Sequence, residues 1–229
     1  MTGALEFGAL LARLLRHRTL DGCVLSTAAG TGLEELQAVL DGKPPTERLL
    51  GTVGPIPGLH AADLFVLAGQ PVPDDLTPVT RRPLLDAIRA QPLVAREGRG
   101  GTDRPYHRYE PGFGAVLLEL THSRNLKWTC TAKALYAVTG GRVYLSASTI
   151  GGIGRGTVEV TPELVAGFAG LLGIPAHDLG AIGGIRLPDD LTPLHPRAAD
   201  VAAVIWEARR LTTTQLDAVE RTSRRLAAL

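Results

Sequence analysis

The sequence has few aromatic residues, few cysteines and few lysines. Aromatic residues make up 4% of its 229 positions, which is low for a β-sandwich, because strands favour aromatic and β-branched side chains. The two cysteines, Cys23 and Cys130, lack CxxC spacing, and no HExxH motif is present. We therefore predict no metal site, and we interpret both cysteines as small buried residues.

Long apolar runs, sorting signals and catalytic motifs are also missing. No apolar run reaches the roughly 18 residues of a membrane span, and no basic-then-apolar segment follows Met1. The expectation is a cytoplasmic protein that does not enter a membrane. There is no GxSxG motif, and the run GGIGRG fits neither of the common phosphate-binding patterns. We predict a protein that is not an enzyme, with no catalytic residues and no cofactor.

The chain repeats itself in two blocks. FGALLARLLRHRTL (7–20) and FGAVLLELTHSRNL (113–126) are identical at seven of fourteen positions. GLHAADLFVLAGQPVPDDLTP (58–78) and GIPAHDLGAIGGIRLPDDLTP (173–193) are identical at eleven of twenty-one. The offset grows from 106 to 115 positions, which indicates an insertion in the second copy, where GGRVYL has no counterpart.

The repeat divides the chain into four parts. These are a first unit (1–78), a linker (79–111), a second unit (112–195) and a tail (196–229). Apolar residues in the repeated blocks recur with the i, i+3, i+4, i+7 spacing of amphipathic helices. The predicted fold class is all-α, with two tandem domains of about five short helices each, followed by C-terminal helices.

Charge is distributed unevenly along the chain. The formal net charge is −4 for residues 1–78, +6 for residues 79–160 and −1 for residues 161–229. A polyanion is therefore attracted to the middle of the chain. Much of this charge lies in the linker, where we predict phosphate contacts from Arg99, Arg104 and Arg108.

A two-helix pattern occupies residues 20–43 of the first unit. A helix ends in a glycine turn at Gly30, and Leu36 and Val39 form the buried side of the next helix, which stops at Gly42. This pattern resembles the helix-turn-helix of phage-repressor-like (XRE-type) transcriptional regulators.

The second unit is similar in YLSASTIGGIGRG (144–156). Ile150 and Ile153 take the buried places, and Gly156 closes the helix. Downstream, TPELVAGFAGLLGIPAHDL (161–179) is similar to the last two helices of that family. Its predicted core residues are Leu164, Phe168, Leu171 and Leu172.

The resemblance implies a regulator that reads duplex DNA with one helix in the major groove. The first unit would present Glu34 and Asp41 to phosphates, a poor electrostatic match, so the second unit is the expected reader. Gly151 and Gly152 either approach the DNA backbone or pack tightly inside the protein. The predicted DNA-binding residues are Arg124, Lys127, Lys133, Arg142, Ser146, Ala147, Ser148, Thr149, Gly151, Gly152 and Arg155.

Partner predictions complete the hypothesis of a transcription regulator. We expect double-stranded DNA as the ligand and a homodimer held by the tail helix that begins at the capping box Thr212–Gln215. The alternative is that this helix folds back on the second unit of its own chain. The runner-up function is a non-catalytic adaptor that binds a protein partner through degenerate units, with the first unit as the contact. The predicted contacts of the homodimer are Leu216, Val219 and Leu226.

Two roles remain open for Tyr106 and Tyr109. They either stack on a base or, as we favour, cover the core of the second unit.

Overall fold

The computed structural model describes residues 6–53, 59–73, 76, 109 and 111–227, with side chains through residue 225. Within this part of the chain all regular secondary structure is α-helical, so the predicted all-α class is confirmed. None of the described helices combines the length and the apolar character needed to cross a bilayer.

Twelve helices lie in the described residues. The first unit contains α1 (Phe7–His17), α2 (Gly22–Ala29), α3 (Leu33–Leu40), α4 (Glu47–Val53) and α5 (Ala61–Leu67). The second unit contains α6 (Phe113–Ser123), α7 (Trp128–Val138), α8 (Ala147–Gly154), α9 (Pro162–Leu172) and α10 (Ala176–Gly183). The tail contains α11 (Ala198–Ala208) and α12 (Thr213–Ala227).

The helix ends follow from local capping chemistry. Asp21 caps α2 and Thr161 caps α9, each by accepting a backbone N–H with its side chain. Pro162 follows at the first helical position, where a missing N–H costs nothing. Gly30 and Gly173 end α2 and α9 at φ values of 60° and 72°, as the predicted glycine turn at Gly30 requires.

The predicted buried stripes of α3 and α8 face one shared core. Leu36, Ile150 and Ile153 are 0% exposed, and Val39 is 2% exposed. The hydrophobic cluster to which they belong is continuous and includes residues of both units. The two units therefore fold against each other rather than around separate cores.

The backbone repeats as the sequence does. Among the described residues, the non-glycine residues with positive φ are Thr19 (51°) and Asn125 (59°), 106 positions apart. Gly69 and Gly184, 115 positions apart, have φ values of 67° and 70°. Each pair shares the offset of its own sequence block, so both units end these helices with the same backbone turn.

A matched glycine allows two helices of each unit to touch. A Cβ added to Gly8 would overlap the Val39 carbonyl oxygen, and one added to Gly114 would overlap the Ile153 carbonyl oxygen. Gly8 lies on α1 and Gly114 at the equivalent position of α6. In both units, therefore, the first helix packs directly against the backbone of the helix that carries the buried stripe.

The two units contact each other reciprocally. Helix α1 packs on α10, and the equivalent helices α6 and α5 pack on each other. Arg18 Nε donates to Asp178 Oδ1 at 2.9 Å, and Arg124 donates to the two oxygens of Asp63 at 2.8 and 3.0 Å. Arg18 corresponds to Arg124, and Asp63 to Asp178, by the repeat offsets. This exchange of equivalent partners is the signature of an interface with approximate two-fold symmetry.

The tail covers one of these two ion pairs. Trp206 of α11 is 3% exposed and stacks on His60 with ring centroids 4.0 Å apart. The guanidinium of Arg124 lies 5.0 Å from the indole centroid. The side chain of Arg124 is consequently 0% exposed, whereas that of Arg18 is 19% exposed.

We expect the half-buried imidazole under Trp206 to make stability depend on pH. Burial, opposed by Asp63 and reinforced by Arg124, lowers the pKa of His60 below its ordinary 6.5. The folded state therefore keeps His60 neutral while the unfolded chain binds a proton, so stability is lost as pH falls below about 6.5.

We expect His60→Phe, which preserves the stacking, to flatten this loss when urea unfolding is compared at about pH 5 and about pH 7.5. Replacing the exposed His177 by Phe is the control and should leave the slope as in the wild type. An undiminished loss of stability in His60→Phe would refute the assignment.

The tail helix α12 begins as predicted and touches the rest of its chain at Val219. Thr212 N donates to Gln215 Oε1 at 2.8 Å, and Gln215 N donates to Thr212 Oγ1 at 3.3 Å, which confirms the capping box. Val219 packs on the cluster around Leu211 at the end of α11. Val219 is only half-buried there, so its role as a dimer contact stays a prediction. Leu216 is 37% exposed, and the side chain of Leu226 lies outside the described residues.

Candidate nucleic-acid interface

Helix α7, the loop that follows it and α8 form a surface with positive charge and no negative charge, here termed the α7–α8 surface. Residues 120–158 contain five basic residues and no Asp or Glu. Because nothing within the segment neutralises these charges, the segment is attractive to a polyanion. Four of the five are exposed: Lys127, Lys133, Arg142 and Arg155.

The N-terminus of α8 carries three linked hydroxyl groups. Ser146 caps the helix by accepting the Thr149 N–H at 3.1 Å. Its oxygen also lies 2.7 Å from Ser148 Oγ and 2.8 Å from Thr149 Oγ1. Ser146 and Ser148 are exposed, while Ala147 and Thr149 are half-buried. Hydroxyls that donate and accept suit either phosphate oxygens or base edges.

Arg155 lies just after the C-terminus of α8. Its guanidinium carbon is 5.7 Å from the Trp128 ring centroid, within the range of a cation–π contact. The residue is nevertheless exposed, so the contact orients the charge without hiding it.

The glycines of α8 serve packing. Gly151 and Gly152 are buried, which corrects their prediction as DNA contacts. A Cβ at Gly151 would lie 2.8 Å from the Trp128 ring, and one at Gly152 would lie 2.7 Å from Val158 Cγ2. Of the two explanations open from the sequence, tight internal packing accounts for both residues.

Tyr109 supplies the rest of this packing. Trp128 Nε1 donates to its hydroxyl oxygen at 2.8 Å, and a Cβ at Gly154 would lie 2.8 Å from its Cδ1. Burial raises the pKa of the Tyr109 phenol. The preferred interpretation of Tyr109 as a cover for the second unit is confirmed, whereas Tyr106 lies outside the described residues.

Arg124 is not at this surface, and its prediction as a DNA contact is wrong. It is 2% exposed and, besides its pair with Asp63, donates to the carbonyl oxygens of Leu120 at 3.1 Å and Leu172 at 2.9 Å. A fully buried guanidinium with carboxylate and carbonyl partners is not accessible to a phosphate. The signal that sequence reasoning passed over is that Arg is identical at this position in both repeats.

Two further predictions concern residues elsewhere. Cys23 and Cys130 are both exposed, so the expectation that they are buried is wrong: each lies on the outward side of its helix. The predicted phosphate contacts of the linker, Arg99, Arg104 and Arg108, lie outside the described residues.

The equivalent surface of the first unit has the opposite charge. Residues 19–42 contain four acidic residues and no basic one, and Glu34 and Asp41 are exposed. Val24 and Leu33 on the same two helices are 56% and 45% exposed. This surface of α2 and α3 is repelled by phosphates and offers apolar contact area instead.

Comparisons with known proteins add no assignment. No protein-family model matches the chain, and no match was found to a curated protein or to a solved structure.

Proposed function

We propose that the protein is a non-catalytic transcription regulator in the cytoplasm that binds double-stranded DNA, with α8 in the major groove. The observation that carries this proposal is the α7–α8 surface, where exposed basic and hydroxyl side chains flank a short helix and acidic residues are absent. Such a surface combines phosphate contacts, which position a protein on the duplex, with groups able to reach base edges. The resemblance of residues 144–156 to the recognition helix of XRE-type regulators supports the same function.

The two units are proposed to act as an internal pair. Their reciprocal ion pairs give them the arrangement that two subunits of a dimer have. We propose that this internal pair takes the place of the homodimer expected from the sequence. Sedimentation at micromolar concentration should give one chain per particle, and a mass of two chains would restore the homodimer.

Binding is tested by fluorescence anisotropy with a labelled pool of random-sequence duplexes, titrated at increasing salt. The logarithm of the affinity should fall linearly with the logarithm of salt concentration, with a slope of about −0.9 for each phosphate neutralised. Sequencing the tightest-bound duplexes then gives the preferred site. A wild-type protein that binds no duplex at low salt would exclude this function.

Removing single charges from the α7–α8 surface should weaken binding. We expect Arg155→Ala to lower the affinity for the selected duplex by about 1–3 kcal/mol, and Lys133→Ala to weaken all duplexes alike and reduce the salt slope by about one. Lys43→Ala removes an exposed charge just after α3 of the first unit and serves as the control. Equal affinities for all three variants and the wild type would place the DNA site elsewhere.

A second candidate is an adaptor that binds a protein partner through the first unit. The observation that favours it is the exposure of Val24 and Leu33 beside Glu34 and Asp41 on α2 and α3. A basic partner with apolar side chains would complement this surface. The salt titration separates the candidates, because an adaptor without DNA affinity leaves the duplex signal unchanged even at low salt.

A further inference from the structure

The second unit contains a loop that the first unit lacks. Three residues separate α2 from α3, whereas eight residues, 139–146, separate α7 from α8. The additional residues include the run GGRVYL, which has no counterpart in the first copy. The two units therefore differ structurally where the α7–α8 surface is formed.

This loop is held in place by buried contacts. Thr139 is 1% exposed; its hydroxyl donates to the Leu135 carbonyl at 2.7 Å and accepts the Val143 N–H at 3.1 Å. Val143 is itself 5% exposed. The segment is thus anchored at both ends of its turn, and the next side chain, Tyr144, is presented from a fixed position.

Tyr144 is the most exposed large hydrophobic side chain of the described residues. It is 84% exposed, and its ring meets the edge of Tyr136 with centroids 6.0 Å apart. Tyr136 is 50% exposed. A Cβ added to Gly141 would lie 3.4 Å from Cζ of the Tyr136 ring, so the ring also packs against the loop backbone. The loop and the end of α7 together form an aromatic projection that no described residue covers.

The charge around this projection is positive, which favours a polyanion as its partner. Arg142 within the loop and Lys133 one turn before Tyr136 are exposed, and no acidic residue occurs between positions 120 and 158. Tyr144 is two residues from Ser146, the cap of α8. Tyrosine hydroxyls are among the groups that bind phosphate oxygens on DNA. A tyrosine ring can also stack on a base, but within a duplex the bases are already stacked on one another.

We propose that the inserted loop is a second DNA contact, in which Tyr144 and Arg142 bind the sugar–phosphate backbone beside the groove that α8 enters. This inference rests on the proposed function and extends it to residues outside the two helices. It assigns Tyr144 to positioning on the duplex, so its contribution to affinity is independent of base sequence.

The test compares full-length variants on two probes: the random-sequence duplex pool and the duplex selected by the wild type. Tyr144→Ala should weaken both by about tenfold, because a hydrogen bond to a charged group contributes on that scale. Tyr144→Phe, which keeps the ring contact with Tyr136 but removes the hydroxyl, should weaken both by nearly the same factor, because the hydrogen bond to phosphate is lost in both variants. Arg142→Gln should reduce the salt slope by about one, and Arg16→Gln, at an exposed position of α1, should change nothing.

The possible results are distinguishable. If the wild type binds DNA and neither Tyr144 variant differs from it, the loop is not a DNA contact although the proposed function stands. If Tyr144→Ala changes the preferred sequence, the side chain reads bases and the backbone assignment is wrong. If the wild type binds neither probe, the proposed function fails and this inference fails with it.

Discussion

Arg124→Ala is expected to lower the free energy of unfolding by roughly 3–5 kcal/mol, because it leaves the Asp63 carboxylate buried without its partner. Both side chains are 0% exposed, and the Trp206 ring lies over the guanidinium with its centroid 5.0 Å away. The variant also removes the hydrogen bond to the Leu172 carbonyl. Urea denaturation of the full chain measures the loss.

The repeat supplies a matched control at the other ion pair. Arg18→Ala should cost less, because the Arg18 side chain is partly exposed and His17 Nε2 remains 3.8 Å from Asp178. The double variant Arg124→Met with Asp63→Leu should remain within about 1–2 kcal/mol of the wild type, since it removes both buried charges together. If Arg124→Ala and Arg18→Ala lowered the free energy of unfolding equally, burial by α11 would not make the Arg124–Asp63 pair the more important of the two.

Gly114→Ala is expected to destabilise the protein by about 1–3 kcal/mol, as overpacking does, although alanine is normally the better helix former. Its Cβ would overlap the Ile153 carbonyl oxygen and lie 2.9 Å from the carbonyl carbon. A backbone carbonyl within a helix cannot move aside as a side chain can. Helices α6 and α8 must therefore separate, and thermal or urea unfolding detects the change.

Two other glycines turn this prediction into a comparison. Gly8→Ala makes the equivalent overlap with α3 and should destabilise similarly. Gly51→Ala, within α4, meets no atom within 4 Å and should stabilise by about 0.4–1 kcal/mol through the unfolded state. If Gly114→Ala were as stable as Gly51→Ala, the close helix contact would not exist.

Features that depend on local periodicity were predictable from the sequence. The buried stripes at Leu36, Ile150 and Ile153, the glycine turn at Gly30 and the capping box at Thr212 follow from residues a few positions apart. Their geometry is set by the helix itself, so the sequence pattern and the structure agree.

Features that depend on distant partners were not predictable in this way. Arg124 pairs with Asp63, 61 positions earlier, and Gly151 packs against Trp128. Without knowledge of these partners, a basic residue and a glycine near a predicted recognition helix suggest DNA contacts. The usable signal was in the repeat, because Arg18 and Arg124 are identical, as are Asp63 and Asp178. Opposite charges retained in both copies indicate a contact between copies, which periodicity within one copy cannot detect.

The reciprocal interface joins two units that are encoded in one polypeptide. In a dimer of separate chains, dilution dissociates the pair, whereas the linked units here retain a high effective concentration of each other at any dilution. Identical subunits must also carry every substitution twice. Covalent linkage removes that constraint, so one copy can be acidic over residues 19–42 while the other has no acidic residue over 120–158. The shared interface thus permits two different surfaces at constant one-to-one stoichiometry.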